Sequence, residues 1–303
     1  MNTSHHKTLA IEPVKIGFLH PGEMGTALAE VAKSNGALTY WASAGRSPGN
    51  VRRAQAAGIH DLFTLQALCD SCDIIVSICP PHAALDIAVA VKACGFSATY
   101  VDANAIAPST AEKVADVVEA RGATYVDAAV VGPPPNGKQL TTVYFSGNEA
   151  RKVIGCFAAQ SVEVRWLGPS RSQASALKMC HSAMSKGQLA LLLSTIAAAE
   201  HYGVRSHLEN LWGSRSSTRP LLEEMSESAR RSRKGWRFAG EMQEVAATLA
   251  SAGLPTSIHQ GASTVFQRCP SPETDPQLIT ISALIQQLLF PEAYDSRQNE
   301  SKN

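Results

Sequence analysis

Val14-Lys-Ile-Gly-Phe-Leu-His-Pro-Gly-Glu-Met-Gly25 is a short apolar run that feeds a glycine turn, and a helix-forming stretch follows it directly. An apolar strand that turns through glycines and leaves as a helix presents backbone N–H groups to a pyrophosphate. A side chain at the position of closest approach would block that contact. The pattern departs from G-x-G-x-x-G at its first glycine, which is His20 here, followed by Pro21. A plain turn between strand and helix has the same local look. The segments on either side must therefore decide.

Outward from that turn, strand and helix alternate. Residues 38–41 read as a second strand and 74–78 as another, stopped by Pro80-Pro81. Tyr100-Val101-Asp102 and Tyr125-Val126-Asp127 read as short strands that each end at an aspartate. Between them, 27–34, 83–93 and 110–120 have helical composition. Such alternation predicts βαβ units: an α/β Rossmann domain with a doubly wound, mainly parallel sheet. After Trp166-Leu167-Gly168 the pattern changes, and 172–201 runs without proline through Ala, Leu, Met, Lys and Gln, all good helix formers. At 1.5 Å per residue this helix would be roughly 40 Å long and would join the domains. Residues 209–228 and 238–252 read as further helices, with a stop at Gly253-Leu254-Pro255. The expected organisation is a flexible tail at 1–13, a nucleotide-binding Rossmann domain at 14–168, an all-α domain at 169–292, and a flexible tail at 293–303.

The end of the second strand selects the cofactor. An NAD site places an acid about 20 residues beyond the glycines, to bind the ribose 2′-hydroxyl. Tyr40-Trp-Ala-Ser-Ala-Gly-Arg-Ser47 contains no acid, and the next one is Asp61. Arg46, with Ser43 and Ser47 as hydroxyl donors, suits a 2′-phosphate instead, since a guanidinium fork matches phosphate oxygens. The bland alternative is a solvated loop arginine. Its place at the selector position favours NADPH.

Composition narrows the partners. The 303 residues are 45% apolar and 17% charged, with a formal net charge of +1. Nothing in that balance draws nucleic acid or an anionic membrane. The longest nearly unbroken apolar stretch, 189–199, is well short of the roughly 20 residues that cross a bilayer. A soluble, cytoplasmic protein is expected. Seven cysteines are scattered through apolar segments, and Cys69-Asp-Ser-Cys72 has no companion motif, so reduced thiols and no metal are expected. Arg230-Arg231-Ser-Arg233-Lys234 reads as a solvated face or a charge-paired helix end rather than a nucleic-acid patch.

With these residues in hand, the chain resembles the β-hydroxyacid dehydrogenase superfamily, related to 6-phosphogluconate dehydrogenase and to imine reductases. Gly17-Phe-Leu-His-Pro-Gly-Glu-Met-Gly25 is similar to its opening G-x-x-G-x-G-x-M-G. Val101-Asp-Ala-Asn-Ala-Ile-Ala-Pro108 stands in place of D-x-S-T-x-x-P, and Tyr125-Val-Asp-Ala-Ala-Val-Val-Gly132 is similar to D-A-P-V-S-G-G. Lys178 matches the family's catalytic lysine in order and context, and Arg237-Phe-Ala-Gly-Glu-Met-Gln-Glu-Val245 is similar to a subgroup with its own C-terminal helical domain. The resemblance implies that Gly22, Met24 and Gly25 cradle the cofactor, that Pro80 and Pro81 line it, and that Lys178 donates the proton. It also implies a homodimer packed through the long helix. His20, Pro21, Glu23 and Cys79 complete the expected cofactor contacts with Ser43, Arg46, Ser47 and Asn104. Three departures touch the substrate: Asn104-Ala105 replaces Ser-Thr, Pro133 replaces a glycine, and Ser182 replaces the asparagine four residues after the lysine.

Hydride delivery to a carbonyl leaves charge on oxygen, so an acid must stand near it. A lysine whose pKa is lowered by partial burial can serve. Lys178 lies in an otherwise apolar stretch, where an amphipathic-helix lysine would ordinarily reach for water. His181 and Ser182 share its face one turn on. With Asn104 and Gly132 they are the expected substrate contacts, while Lys186 is expected at the surface. Asp102 and Asp127 are expected to hold turns. The reading is NADPH-dependent transfer of hydride to or from a small oxo or hydroxy compound, a hydroxy acid foremost. An imine reductase and a non-catalytic NADPH-binding regulator are the alternatives.

Overall fold

The computed structural model describes residues 12–135, 139–270 and 279–291, so the expected tails fall almost wholly outside the described residues. The chain divides into two compact units. One comprises Met1–Cys79, Ala83–Asn104 and Ala111–Ala174, the other Pro80–His82, Ala105–Thr110 and Ser175–Asn303.

In the first unit, β1 (Lys15–Phe18), β2 (Leu38–Trp41), β3 (His60–Asp61), β4 (Ile74–Ser77), β5 (Thr99–Asp102), β6 (Thr124–Val131), β7 (Thr141–Ser146) and β8 (Val162–Gly168) form one sheet of order β3-β2-β1-β4-β5-β6-β7-β8. Every pairing is parallel except β6 with β7. Helices α1 (Glu23–Ser34), α2 (Pro48–Ala56), α3 (Leu65–Ser71), α4 (Ala84–Ala93) and α5 (Pro108–Glu119) connect the strands. β4 is buried throughout as Ile-Ile-Val-Ser, as expected of a strand covered on both faces. Ile16, Phe18, Leu28, Trp41, Val76, Val101, Val126 and Phe145 belong to the core on one face. The strand order reverses on either side of β1, and ligands of doubly wound sheets bind at the carboxyl ends of strands beside such a switch.

Two sequence expectations change here. β6 does not end at Asp127 but continues to Val131, because Asp127 through Val131 pair with β7. The helix expected from residue 83 begins at Ala84, after a 3-10 turn over Pro81–Ala83.

The second unit is helical: α6 (Gln173–His201, whose first two residues group with the sheet unit), α7 (Arg205–Ser214), α8 (Pro220–Ser232), α9 (Gly235–Ser251), α10 (Ser257–Gln267) and α11 (Ile281–Leu289). Met179, Leu189, Leu193, Ile196, Trp212, Met242, Val245, Phe266, Leu284 and Leu288 belong to its core. The single helix expected over 209–228 is two helices, because Pro220 starts α8 at its first turn. Proline has no N–H to give there and clashes with a preceding helical turn. α9 meets the chain just after α10 closely at Gly235, where a Cβ would lie 2.5 Å from Cys269 Cβ. The basic run at the end of α8 is charge-paired, Arg230 with Glu227 and Arg231 with Glu224. Among the described residues, no helix is long and apolar enough to cross a membrane.

Candidate functional site

The glycine turn lies between β1 and α1. Gly22 N–H donates to the His20 carbonyl at 2.7 Å, Thr26 N–H to the Gly22 carbonyl at 2.9 Å, and Thr26 Oγ1 to the Pro21 carbonyl at 3.1 Å. A Cβ on Gly25 would lie 2.6 Å from the His20 oxygen and 2.9 Å from Ile78 Cγ2, so the turn closes only around glycine. A Cβ on Gly22 would meet nothing within 4 Å. Gly22 is the N-cap of α1 and brings no side chain to cap it. Among the described residues, the space beside Gly22 at the helix terminus is open.

Beside this turn two buried polar atoms, His20 Nδ1 and Arg46 Nε, have no hydrogen-bond partner among the described residues. Burial, with the Arg46 charge adding to it, pulls His20 down to about 4, so His20 is neutral at neutral pH. Arg46 sits in the β2–α2 loop, its N–H donating to the Ser43 carbonyl at 3.0 Å, and Ser47 caps α2. Asp61, the acid nearest in sequence, is spent on the loop itself and accepts from Ser43 N–H at 3.2 Å and Phe63 N–H at 2.8 Å. An open helix terminus with an unsatisfied guanidinium nitrogen alongside fits a phosphate-bearing dinucleotide.

Asn104, 2% exposed, holds the exit of β4. Its Oδ1 accepts from Cys79 N–H at 2.6 Å, its Nδ2 donates to Ser77 Oγ at 3.1 Å, and its own N–H donates to Asp102 Oδ1 at 2.9 Å. The carboxamide, expected to touch cofactor and substrate, thus has most of its bonding capacity in the turn that carries Cys79. Ser77, Asp102, Asp127 and Ser146 stand in register across β4 to β7 as a buried polar row. Ser146 Oγ donates to Asp127 Oδ2 at 3.0 Å and accepts from Ala174 N–H at 3.0 Å, in the first turn of α6. Burial, with Asp127 adding to it, raises the Asp102 carboxyl to about 7. At Gly132, φ is +119°, and a Cβ would lie 3.1 Å from the Leu140 oxygen. The backbone itself requires that glycine.

In the helical unit, Lys178, His181, Ser182 and Lys186 lie on α6, and α9 brings Glu241 to them. Ser182 Oγ, fully buried, donates to Glu241 Oε1 at 2.5 Å and accepts from Lys186 Nζ at 3.1 Å. Lys186 Nζ is also 3.0 Å from Glu241 Oε1, with side-chain exposures of 16% and 10%. The surface role expected of Lys186 is therefore replaced by a nearly buried ion pair. Burial, then the Lys186 charge, lower Lys178 to about 8, while Glu241 opposes them. Burial pushes the Glu241 carboxyl up, but Lys186, Lys178 and the Ser182 hydroxyl outweigh it and hold it below its ordinary value. His181 is exposed, and burial with the two ammonium charges lowers it. Glu241 was not singled out from the sequence. The available signal was its place one turn before Val245, on the inward side of an amphipathic helix.

The NAD binding domain of 6-phosphogluconate dehydrogenase is the family description whose profile matches residues 15–167, and a domain of unknown function (DUF1932) matches residues 199–269. An uncharacterized 28.5 kDa protein in the 7S RNA 5′ region of Methanothermus fervidus is 27% identical over 197 residues, 64% of this chain and 74% of that one. Among solved structures, a 3-hydroxyisobutyrate dehydrogenase from Salmonella typhimurium aligns with a TM-score of 0.67 at 17% identity, covering 90% of this chain and 99% of that one. A reductive aminase from Aspergillus terreus in complex with NADPH and ethyl levulinate aligns with a TM-score of 0.55 at 19% identity, covering 90% and 99%. At such identities the structural likeness is one of fold.

Proposed function

Since the chain belongs to the β-hydroxyacid dehydrogenase superfamily, through the NAD-binding domain of 6-phosphogluconate dehydrogenase, we propose that it is an NADPH-dependent oxidoreductase acting on a small oxo or hydroxy compound, a hydroxy acid foremost, with Lys178 as general acid or base. The observation that carries this reading is the Lys178 ammonium, drawn down to about 8 within a cluster that holds one carboxylate. A group of that acidity can give or take a proton at an oxygen near neutral pH. NADPH, when bound, supplies the hydride.

The chain's own groups divide the rest of the work. Backbone N–H groups at the start of α1, with Gly22 leaving room beside them and His20 and Pro21 shaping the turn, receive the diphosphate. Arg46, with Ser43 and Ser47, receives the 2′-phosphate, while Cys79, Pro80, Pro81 and Asn104 line the cofactor. Asn104, Gly132, His181 and Ser182 remain the proposed substrate contacts, with Ser182 acting through the carboxylate it already binds. Lys178 protonates the nascent oxyanion in reduction and accepts the proton in oxidation. Reduction should therefore slow as pH rises through about 8, and oxidation should quicken over the same range. Homodimerisation in the cytoplasm belongs to the same reading, supported by exposed apolar residues on α6 such as Met184 and Leu191.

The decisive measurement is turnover of Lys178→Met on a panel of oxo acids and cyclic imines with NADPH. Near wild-type rates would remove the lysine from the chemistry. Turnover of imines alone would make the enzyme an imine reductase, and tight NADPH binding without oxidation by any substrate would make it a regulator. Arg46→Ala should weaken NADPH binding by about 1–3 kcal/mol, the range for a lost charged hydrogen bond, while sparing NADH. Equal losses for both cofactors would contradict the 2′-phosphate role.

A further inference from the structure

We propose that Phe63 is the purine-stacking residue of the cofactor site: its exposed ring, carried on a strained turn beside the Arg46 loop, takes one face of the adenine. The inference rests on the reading of the chain as an NADPH-dependent enzyme.

β3 ends at Asp61 and α3 starts at Leu65, with Leu62, Phe63 and Thr64 joining them. Thr64 N–H donates to the Leu62 carbonyl at 2.7 Å, two residues back, and φ at Phe63 between them is +63°. That is the rare, strained hand of the three-residue turn. Among the described residues, Phe63 is the only one besides glycine with a positive φ. A bulky side chain is disfavoured there because its Cβ crowds the backbone, which is why glycine or asparagine usually takes such a place. Both ends of the turn are fixed. Leu62 N–H donates to the Trp41 carbonyl at 2.9 Å and Phe63 N–H to Asp61 Oδ1 at 2.8 Å, while the Thr64 hydroxyl caps α3 by accepting from Ala67 N–H at 3.1 Å. Strain of this kind persists only where its surroundings over-determine it, and it gathers at ligand sites. Burial does not offset it here, since Phe63 is 65% exposed. A lone exposed aromatic is ordinary, but one that also strains the backbone gives the fold nothing in return.

The position of the turn points to its ligand. β2 and β3 are parallel neighbours, with Trp41 opposite Asp61, so the loops that leave them stand side by side at the carboxyl edge of the sheet. Ala44 N–H donates to the Phe63 carbonyl at 2.9 Å, and Ser43 N–H to Asp61 Oδ1 at 3.2 Å. These bonds tie the turn to the loop of Ser43, Arg46 and Ser47, where Arg46 Nε is a buried donor with no partner among the described residues. In NADPH the 2′-phosphate and the purine are carried by adjacent carbons of one ribose. A phosphate seated on Arg46 therefore brings the purine beside that loop, and an exposed aromatic ring at its flank offers the flat apolar surface on which a base stacks. Phe63 then reads the base, which NADPH and NADH share, while Arg46 reads the phosphate that only NADPH carries.

The test needs no substrate. Full-length protein is titrated by calorimetry with NADPH, NADH and adenosine 2′,5′-bisphosphate, beside thermal melts. Phe63→Gly should weaken all three by about fivefold or more, the least that one base–aromatic stack contributes, with the same factor for NADPH and NADH. It should melt no lower than the wild type, because glycine takes that φ without strain. Phe63→Tyr, which keeps a flat ring, should retain the affinity. Phe63→Asn, also tolerant of positive φ, should repeat the loss and decides the matter if Phe63→Gly loosens the loop. A residue that only shapes the turn behaves otherwise: glycine suits the turn at least as well, so binding would be kept. Unchanged affinity in Phe63→Gly, an equal loss in Phe63→Tyr, or a loss for NADPH that leaves NADH untouched overturns the proposal. The outcome is separable from that of the proposed function. Wild-type protein that binds none of the three ligands removes the enzyme reading and the stack with it, whereas wild-type binding that survives in Phe63→Gly removes the stack alone.

Discussion

Gly22 and Gly25 are three residues apart and do different work. At Gly25 the obstacle to a side chain is the protein, the His20 oxygen and Ile78 both lying within 3 Å of a built Cβ. At Gly22 there is no obstacle, and its φ of −70° suits any residue. Gly25→Ala should therefore lower the melting temperature and NADPH affinity together. Gly22→Ala should keep stability within about 0.5 kcal/mol, as for a substitution that touches nothing, yet weaken the nucleotide at least about tenfold by filling the space the diphosphate needs. Thermal melts beside fluorescence titrations separate the two, and equal behaviour would remove the cradle argument. Asp102 makes a second residue-scale prediction. Its folded pKa of about 7 lies above the ordinary 3.8, so between those values the folded chain holds a proton that the unfolded chain has lost. Stability from this group falls as pH rises through that window and levels off above it. Asp102→Asn should flatten the difference in urea midpoint between about pH 5 and about pH 8, the unfolded reference being the same at both. A pH slope unchanged by the substitution would show that another group carries it. The residue scale is also where the sequence was read least completely. Arg46 could be chosen from its place after the second strand, but the partners of Lys178 depend on a helix more than fifty residues away.

At the scale of elements, what could be read depended on how far each signal was local. β2 was placed at its observed bounds, since Leu-Thr-Tyr-Trp is apolar and turn-flanked, and the core run of β4 was equally plain. β7 and β8 are less legible, although Thr-Thr-Val-Tyr-Phe-Ser is rich in strand formers, because no helix separates them from β6 and β7 returns antiparallel against it. A single helix over 209–228 is excluded by a local signal, Pro220, which opens α8. Side chains at element ends now give measurable tests. Thr280 caps α11 by accepting from Ala283 N–H at 3.1 Å, so Thr280→Ala should cost about 1 kcal/mol. Arg171, just before α6, reaches Glu112, Asp116 and Glu119 on α5 at 2.5–2.6 Å. These groups are partly exposed, so each pair contributes little alone, about 0–1 kcal/mol. One guanidinium serving three acids nonetheless makes Arg171→Met more harmful than the loss of any one acid. Urea midpoints of the four variants would rank them, and an Arg171→Met value no larger than Glu112→Gln would show that the fork adds nothing.

For the whole molecule, the division into a dinucleotide-binding sheet unit and a helical unit was legible because the two halves differ in hydrophobic period. The family followed from motifs spread along the chain. What no single chain reveals from its own pattern is why α6 is built as it is. Leu177, Met184 and Leu191 on α6, and Tyr202 directly after its last residue, are all exposed, from 37% to 76%. Their spacings are seven, seven and eleven residues. At about 100° per residue these steps return to the same side of a helix, so the four form one stripe roughly 40 Å long. The opposite side of the same helix carries Met179, Leu189, Leu193 and Ile196 into the core, so α6 is apolar on two sides. A helix of that kind needs cover on both, and a long exposed apolar stripe marks an interaction surface. A second copy of the stripe, related by a two-fold axis, would be self-complementary and would supply that cover. The chain should therefore sediment at twice its own mass at micromolar concentration. Met184→Glu with Leu191→Glu should give a monomer of unchanged helix content, because both side chains leave the core untouched. A wild-type monomer at that concentration, or a charged variant that remains a dimer, would rule the stripe out as the subunit contact.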